Sequence, residues 1–476
     1  NFQPGVRVET NCQNCGFQQV RINGLDGPYT QILIDSRPVF SALSGVYGLE
    51  QIPASMIERV EVMRGGGSAL FGSSAIAGTI NIITKEPLRN SGQLSHTITS
   101  LGGSSSFDNN TSLNASLVTD DHRAGLYIFG QNRHRSGYDY DGDGFTELPK
   151  LKNQTVGFRS YLKTSTYSKL TFEYHHMQEF RRGGDMLDRP PHEAHIAEQL
   201  QHSIDGGSLK FDYFSPDEKN RLSIFASAAN TDRDSYYGPG NDPLKAYGKT
   251  TDLTAMGGAQ YVHTFDKCFF MPSDLTAGLE YNRDRLKDNM WGYNRHTDQT
   301  VNIYSAFLQN EWKNDRWGIL IGGRLDKHNM VDNVIFSPRA NLRFNPTQNI
   351  NLRLSYSSGF RAPQAFDEDL HVENVGGNVA MVELAKDLKE ERSQSLSASA
   401  DIYHRFGAFQ INFLVEGFYT KLSDVFALTD GEVKDGILTR TRYNAPGARV
   451  MGLTLEGKMA YLNKFQIQAG ATLQQS

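Results

Sequence analysis

The chain has 476 residues, of which 38% are hydrophobic and 21% charged, with 48 Lys and Arg against 53 Asp and Glu and a formal net charge of -5. No apolar run approaches the about 20 residues that a membrane-spanning helix needs. This excludes a helical membrane protein but not a barrel, whose strands are apolar on one face only. The mild acidity, without a cluster of Lys and Arg, argues against nucleic acid as a partner.

Near the start, Cys12-Gln-Asn-Cys15 admits a redox pair, half a zinc site or a local disulfide; no second CxxC exists and no His follows Cys15 directly, so the disulfide is preferred. Cys268 reads as an ordinary buried or turn cysteine. Ser55-Met-Ile-Glu58, after Pro53, predicts one helical turn capped near Pro53 to Ala54. Next come Val60 and Val62, a tract of glycines and small residues, and Ile80 and Ile82, all at strand spacing. The pattern predicts a strand, a compact turn-rich segment needing close main-chain packing, and a second strand. Gly67 to Gly72 has the glycine spacing of a phosphate-binding loop, but Ser73 stands where that loop needs Lys.

From about Gln93 the chain becomes a succession of alternating segments of roughly 10 residues separated by polar turns, as transmembrane strands are. Phe409, Ile411, Phe413 and Val415 face one way and Gln410, Asn412 and Glu416 the other. Phe465, Ile467, Ala469 and Ala471 oppose Gln466, Gln468 and Thr472, while Leu352, Leu354 and Tyr356 oppose Asn351, Arg353 and Ser355. A soluble sandwich would bury its apolar face between two sheets and be far shorter. The 21 Tyr and 27 Phe, many near strand ends, fit interfacial girdles. Roughly 17 strand-like segments are present. Asn345–Gln348 and Ser215–Glu218 suit short periplasmic turns, and 181–202, 234–252, 284–300 and 361–392 suit extracellular loops.

Asp139, Asp141 and Asp143, with Gly144 and Glu147, alternate like the opening of an EF-hand loop, although Lys150 holds its twelfth position. The expectation is a calcium site through the aspartates and Glu147, or else a solvated turn; no other cofactor is required. Histidines concentrate at His175, His176, His192, His195 and His202. His175 and His176 point to opposite strand faces and cannot chelate one ion together. His192 and His195 are candidate ligand-binding residues, since imidazole is a common metal ligand. No nucleophile and base stand together in a catalytic pattern, so an enzyme is not expected.

The run Val60-Glu-Val-Met-Arg64-Gly-Gly-Gly-Ser-Ala-Leu-Phe71-Gly through Ile80-Asn-Ile-Ile-Thr-Lys85 resembles the plug signature of TonB-dependent outer-membrane receptors, with Gly66 where that family usually has Pro and Ala77 where it often has Gly. Val20–Gly27 and Gln31–Val39 resemble the strands that precede it. The resemblance implies a mainly β fold: a transmembrane antiparallel β-barrel, of about 22 strands in plugged transporters, around a small mixed α/β plug. Residues 1–87 are assigned to the plug and 91–476 to the barrel, and both ends are expected to be incomplete: neither a signal peptide nor the energy-coupling segment precedes the plug, and the chain stops within an alternating run.

The resemblance also implies the site residues. Arg21 and Arg64 match plug arginines that meet barrel glutamates, and Glu456, in Gly452-Leu-Thr-Leu-Glu456, matches one partner; Ser397 falls where another glutamate is common, and Glu391 is the candidate to stand in for it. Phe360-Arg-Ala-Pro363, His371 and Ala385–Ser393 resemble the paired boxes of haem receptors, which makes His371 a ligand candidate. The implied function is import of a scarce metal chelate, an iron-siderophore or haem, with cobalamin as the alternative and a barrel adhesin or enzyme as the alternative of another class. The implied location is the outer membrane of a Gram-negative bacterium. The implied partners are the TonB energy-coupling protein, the chelate, outer-membrane lipid and a surface lipoprotein.

Overall fold

The computed structural model describes residues 3–12, 16–37, 43, 53–65, 72, 75–239, 246–375, 378–434, 437–462 and 464–476. Cys15, Gly66–Phe71 and Ser73 lie outside these, and with them the disulfide and phosphate-loop readings.

The N-terminal part forms two small sheets. β1 (Val6–Cys12) pairs antiparallel with β2 (Phe17–Ile22). β3 (Thr30–Ile34), β4 (Ile57–Arg64) and β5 (Gly78–Thr84) form the second, with β5 central, parallel to β3 and antiparallel to β4. Covered by strands on both flanks, β5 is apolar at Ile80 and Ile82, and both are buried. Gly78 opens it for a steric reason: a Cβ there would lie 2.3 Å from the Met63 carbonyl oxygen. The expected helical turn is a 3-10 turn at Ala54–Met56 after Pro53, and Ile57 already belongs to β4.

The second region is a barrel in which neighbours follow chain order. Its strands are β6 (Ser91–Ser100), β7 (Phe107–Val118), β8 (Ala124–Arg135), β9 (Lys150–Ser165), β10 (Ser168–Gly184), β11 (Ile196–Phe214), β12 (Asn220–Pro239), β13 (Tyr247–Cys268), β14 (Met271–Met290), β15 (Arg295–Lys313), β16 (Trp317–His328), β17 (Ile335–Thr347), β18 (Ile350–Arg361), β19 (Glu373–Val375), β20 (Asn378–Leu384), β21 (Glu391–Phe406), β22 (Phe409–Leu428), β23 (Glu432–Lys434), β24 (Ile437–Tyr461) and β25 (Phe465–Gln475). Among the described residues, 17 of these have ten residues or more, in line with the roughly 17 alternating segments. The short β19, β20 and β23 belong to connections, so β18 pairs directly with β21. The strand order closes on itself. At the seam, β6 runs in continuous register with β7 and β25 with β24, and both seam strands are exposed almost throughout.

Alternation explains the two faces of the wall. Each long strand exposes large apolar residues outward, from Leu94 on β6 through Leu279 and Leu308 to Ile467 on β25, as lipid requires. One end of the barrel has short turns, such as 166–167 and 348–349; the other has longer connections, including 136–149, 185–195 and 362–390. These are narrower than the expected loops because the strands run further, with β10 reaching Gly184 and β11 resuming at Ile196. Near the short turns, aromatic rings stack at Phe270–Trp312 (5.7 Å) and Trp317–Phe344 (4.2 Å) and pack at a tilt at Phe409–Tyr461 (4.8 Å). Cys268 lies in this region, and its carbonyl accepts from the Trp312 indole at 3.0 Å.

The N-terminal sheets sit in the lumen. Ile22, Ile34, Ile76, Ile80 and Ile82 share one apolar cluster with Phe129, Phe418, Leu422 and Val450 of the wall.

Candidate functional site

The seat of the plug is built from a few polar contacts around that shared apolar cluster. Arg64, the last residue of β4, donates from Nη2 to Glu416 Oε2 on β22 at 2.7 Å and from Nη1 to the Pro4 carbonyl at 3.1 Å. Tyr29 donates to Glu391 Oε1 on β21 at 2.7 Å, and its own carbonyl accepts from Ile76 N and Ala77 N in the signature segment. Burial, then the adjacent Glu391 carboxylate, push the Tyr29 phenol far above its ordinary pKa, so it stays a donor. Asp35 accepts from Thr84 N at 3.0 Å and Thr84 Oγ1 at 2.6 Å, and it pairs with Arg159 of β9. Tyr127 of β8 donates to the Ser55 carbonyl at 2.6 Å.

Of the four residues expected to join plug and barrel, Arg64 and Glu391 make contacts across that boundary, Arg64 with Glu416 and Glu391 with Tyr29 rather than with an arginine, while Glu456 and Arg21 pair elsewhere. Glu391 does join plug to wall. Glu456 does not meet Arg64: Lys458 Nζ lies 2.5 Å from it and Gln468 donates to it at 3.1 Å, both on the wall. Arg21 pairs within the plug, at 2.6 Å from Glu9 and 3.1 Å from Asp26, because β1 and β2 place Arg21 beside their own acids. Glu416 was legible as a polar-face residue of β22 but not as the partner. Tyr29, Asp35 and Arg159 carried no local signal.

At the long-loop end the lumen is lined by buried, matched charges. Arg181 meets Glu179 at 2.8 Å, with both side chains at most 2% exposed. The connection 362–390 folds onto this wall through the short helix Asp367–Leu370. Asp367 meets Arg233 at 2.6 Å, Asp369 meets Arg442 at 2.6 Å, Glu368 meets Arg361, and the Leu370 carbonyl accepts from Arg295 at 2.7 Å. Burial, opposed by Arg233 and Arg442 respectively, pushes the Asp367 and Asp369 carboxyls each up to about 6. Arg361 also lies 5.9 Å from the Tyr29 ring and 4.3 Å from the Phe366 ring, which joins this connection to the plug.

The candidate histidines lie at the same end, each with a protein partner. His192 Nδ1 is 2.9 Å from the Tyr247 hydroxyl, His195 Nδ1 is 2.6 Å from Asp185, and His371 Nδ1 is 3.5 Å from Glu198, with its ring 5.2 Å from that of Tyr237. Burial raises the Asp185 carboxyl, but the hydrogen bonds from His195 and the Ile196 amide outweigh it and leave it below its usual range. Among the described residues the histidines do not converge with other ligating side chains into a group of three.

The acidic residues do converge. Asp139, Asp141, Asp143 and Glu147 each offer one oxygen, all within 4.8 Å of one another. The turn is held by Gly142 N and Gly144 N donating to Asp139 at 2.7 and 2.9 Å and by Phe145 N donating to Asp143 at 2.8 Å. Hard oxygens so arranged fit calcium.

A lipid-belted barrel with a small sheet domain locked in its lumen defines a plugged outer-membrane receptor. Residues 81–475 match the family model for the TonB dependent receptor-like β-barrel and residues 1–79 that for the TonB-dependent receptor plug domain; the chain belongs to the TonB-dependent receptor family. It is 24% identical over 380 residues to the vitamin B12 transporter BtuB of Vibrio vulnificus, covering 76% of this chain and 57% of that protein, so it spans somewhat over half the length of that relative. The siderophore receptor PirA of Acinetobacter baumannii superposes with a TM-score of 0.81 at 18% identity, over 100% of this chain and 76% of that one. The ferric enterobactin receptor PfeA of Pseudomonas aeruginosa gives 0.81 at 18%, over 100% and 77%. The hemophore receptor HasR of Serratia marcescens gives 0.76 at 14%, over 99% and 78%.

Proposed function

We propose that the chain carries the plug and barrel of an outer-membrane receptor of a Gram-negative bacterium that binds a scarce metal chelate outside and imports it with energy supplied through TonB. The observation that carries this is the lock itself: Arg64 to Glu416, Tyr29 to Glu391 and Asp35 to Arg159 hold the plug by charged and hydrogen-bonded contacts rather than by chain continuity alone. Such contacts hold a domain yet release without covalent change. An iron-siderophore is the preferred cargo and haem the next, in keeping with what PirA, PfeA and HasR are named for. Cobalamin is the second reading, favoured by the sequence relative. His192, His195 and His371 stand at the long-loop end, where cargo would arrive. Calcium is proposed for the Asp139–Glu147 turn as a structural ion that neutralises its four carboxylates. No catalytic residue is assigned.

Titration of the full-length receptor with ferric siderophores, haem and cobalamin tests this reading. Saturable binding of an iron chelate, and not of cobalamin, is the expected result; binding of cobalamin alone would select the second reading, and binding of none would reject both.

A further inference from the structure

A cavity of about 350 Å³ lies between the plug and the wall in the short-turn half of the barrel. Five cations line it, Arg64, Lys313, Arg339, Arg343 and Arg353, against two carboxylates, Glu311 and Glu416. Arg64 takes Glu416 at 2.7 Å, and Lys313 turns to Asp274 at 2.5 Å. Among the described residues, no carboxylate lies within ion-pair distance of Arg339, Arg343 or Arg353. Arg339 Nη1 is buried without a hydrogen-bond partner; Nη2 donates to the Asn341 amide oxygen at 3.1 Å once that amide is oriented with its nitrogen toward the Ala340 carbonyl.

Strand register makes this a shaped site rather than a scatter of charges. Arg343 stands directly opposite Arg353 across β17 and β18, and like charges in that position repel unless something neutralises them. Between this pair and Arg339 the facing residues are small and polar. Ser357 opposes Arg339, Ser355 opposes Asn341, and across the next ladder Ser357 opposes Ser395 and Ser355 opposes Ser397. Arg343 Nη2 donates to the Asn314 carbonyl at 2.8 Å and Arg353 Nε to Asn351 Oδ1 at 2.8 Å, which leaves both guanidinium groups with further N–H donors and no carboxylate partner; with the hydroxyls they form a donor-rich lining around a half-enclosed space.

We propose that this cavity binds a small oxyanion of the phosphate or carboxylate class, with Arg339 at its deep end, Arg343 and Arg353 at its mouth and the serine hydroxyls between. The proposal goes beyond the import reading and holds whichever chelate is carried. The anion comes from one of two sources, free phosphate or a carboxylate-bearing solute.

The test is calorimetric titration of the full-length receptor in detergent with inorganic phosphate and, separately, with citrate. Saturable binding is expected, weakened at least about tenfold in Arg339→Gln, which removes a charge-assisted donor, and unchanged in Arg189→Gln at the opposite end. Tighter binding of phosphate assigns the site to free phosphate and tighter binding of citrate to carboxylate solutes; either supports the proposal. No saturable binding of either anion at millimolar concentration, or equal binding in Arg339→Gln, overturns it. Should that variant fail to fold, Ser357→Val probes the same cavity with every arginine retained: severalfold weaker binding supports the site and unchanged binding overturns it.

Discussion

The two halves of the lumen treat charge in opposite ways. At the long-loop end buried ions come in matched sets: Arg233 with Asp367, Arg442 with Asp369, Arg181 with Glu179, Arg295 with Asp288 at 3.0 Å. In the short-turn half, Arg339, Arg343 and Arg353 line a cavity with serines, and although Glu311 and Glu416 share that lining, no carboxylate lies within ion-pair distance of these three arginines among the described residues. A buried ion without a partner is costly, so matched sets fix a structure, whereas unmatched cations beside a cavity hold capacity for a ligand. The upper half is built to clamp a connection onto the wall. The lower half joins two clamps on the plug, Arg64 to Glu416 and Asp35 to Arg159, to an open space.

The largest expected effect comes from breaking a matched set. Asp367→Ala leaves the Arg233 guanidinium buried and unpaired, and the connection 362–390 should lose about 3–5 kcal/mol of local stability. Hydrogen exchange over residues 362–372 reads this directly; protection unchanged from wild type would show that the pair is not what holds the connection. Next is the plug clamp. Arg64→Ala and Glu416→Ala should each loosen the plug, and the double variant should fall short of additivity by about 1–3 kcal/mol in plug release by denaturant. Arg64→Ala combined with Glu456→Ala should be additive, and coupling there instead would restore the partner that the motif suggested.

A smaller effect separates the halves by pH. Asp367 and Asp369 titrate near about 6 in the folded connection, above the ~4 of an unfolded carboxyl. The folded state therefore holds more protons than the unfolded between those values, and stability falls as pH rises. The contribution is whole below ~4 and is lost progressively as pH climbs through about 6. Exchange protection of 362–372, corrected for intrinsic rate, should drop from pH 4.5 to 7 by about tenfold, and Asp369→Asn should flatten the drop. A rise with pH would reverse the assigned sign. Smallest is the acidic turn at 139–147: calcium should raise the melting temperature by a few degrees, about 1 kcal/mol, and Asp141→Ala should abolish the rise. An equal rise in the variant would leave the turn a solvated one.

Much of the wall was legible because alternation is a local property. Phe409, Ile411 and Phe413 face lipid as their spacing required, and Gly78 opens β5 where the glycine signature ends. The lock was legible only in part, because it depends on how the plug is seated. Glu416 and Glu456 both belong to inward-facing rows of adjacent strands, and β22 and β24 pair with Glu456 opposite Leu414 and Glu416 opposite Thr454. Nothing local says which of the two Arg64 reaches. Lys458, two residues along the same strand, reaches Glu456. The histidines are legible from composition, but Tyr247 and Glu198, the partners of His192 and His371, stand on other strands, and Asp185 reaches His195 only through the fold of their shared connection.

The proposed function requires the plug to be a gate that TonB opens. Uptake of radioactive iron supplied as the bound siderophore, in cells expressing the full-length receptor with and without TonB, tests it most directly. Surface binding equal in both strains with uptake only where TonB is present is the predicted result. Uptake at the same rate in both would contradict it, since the cargo would then cross without the plug being pulled.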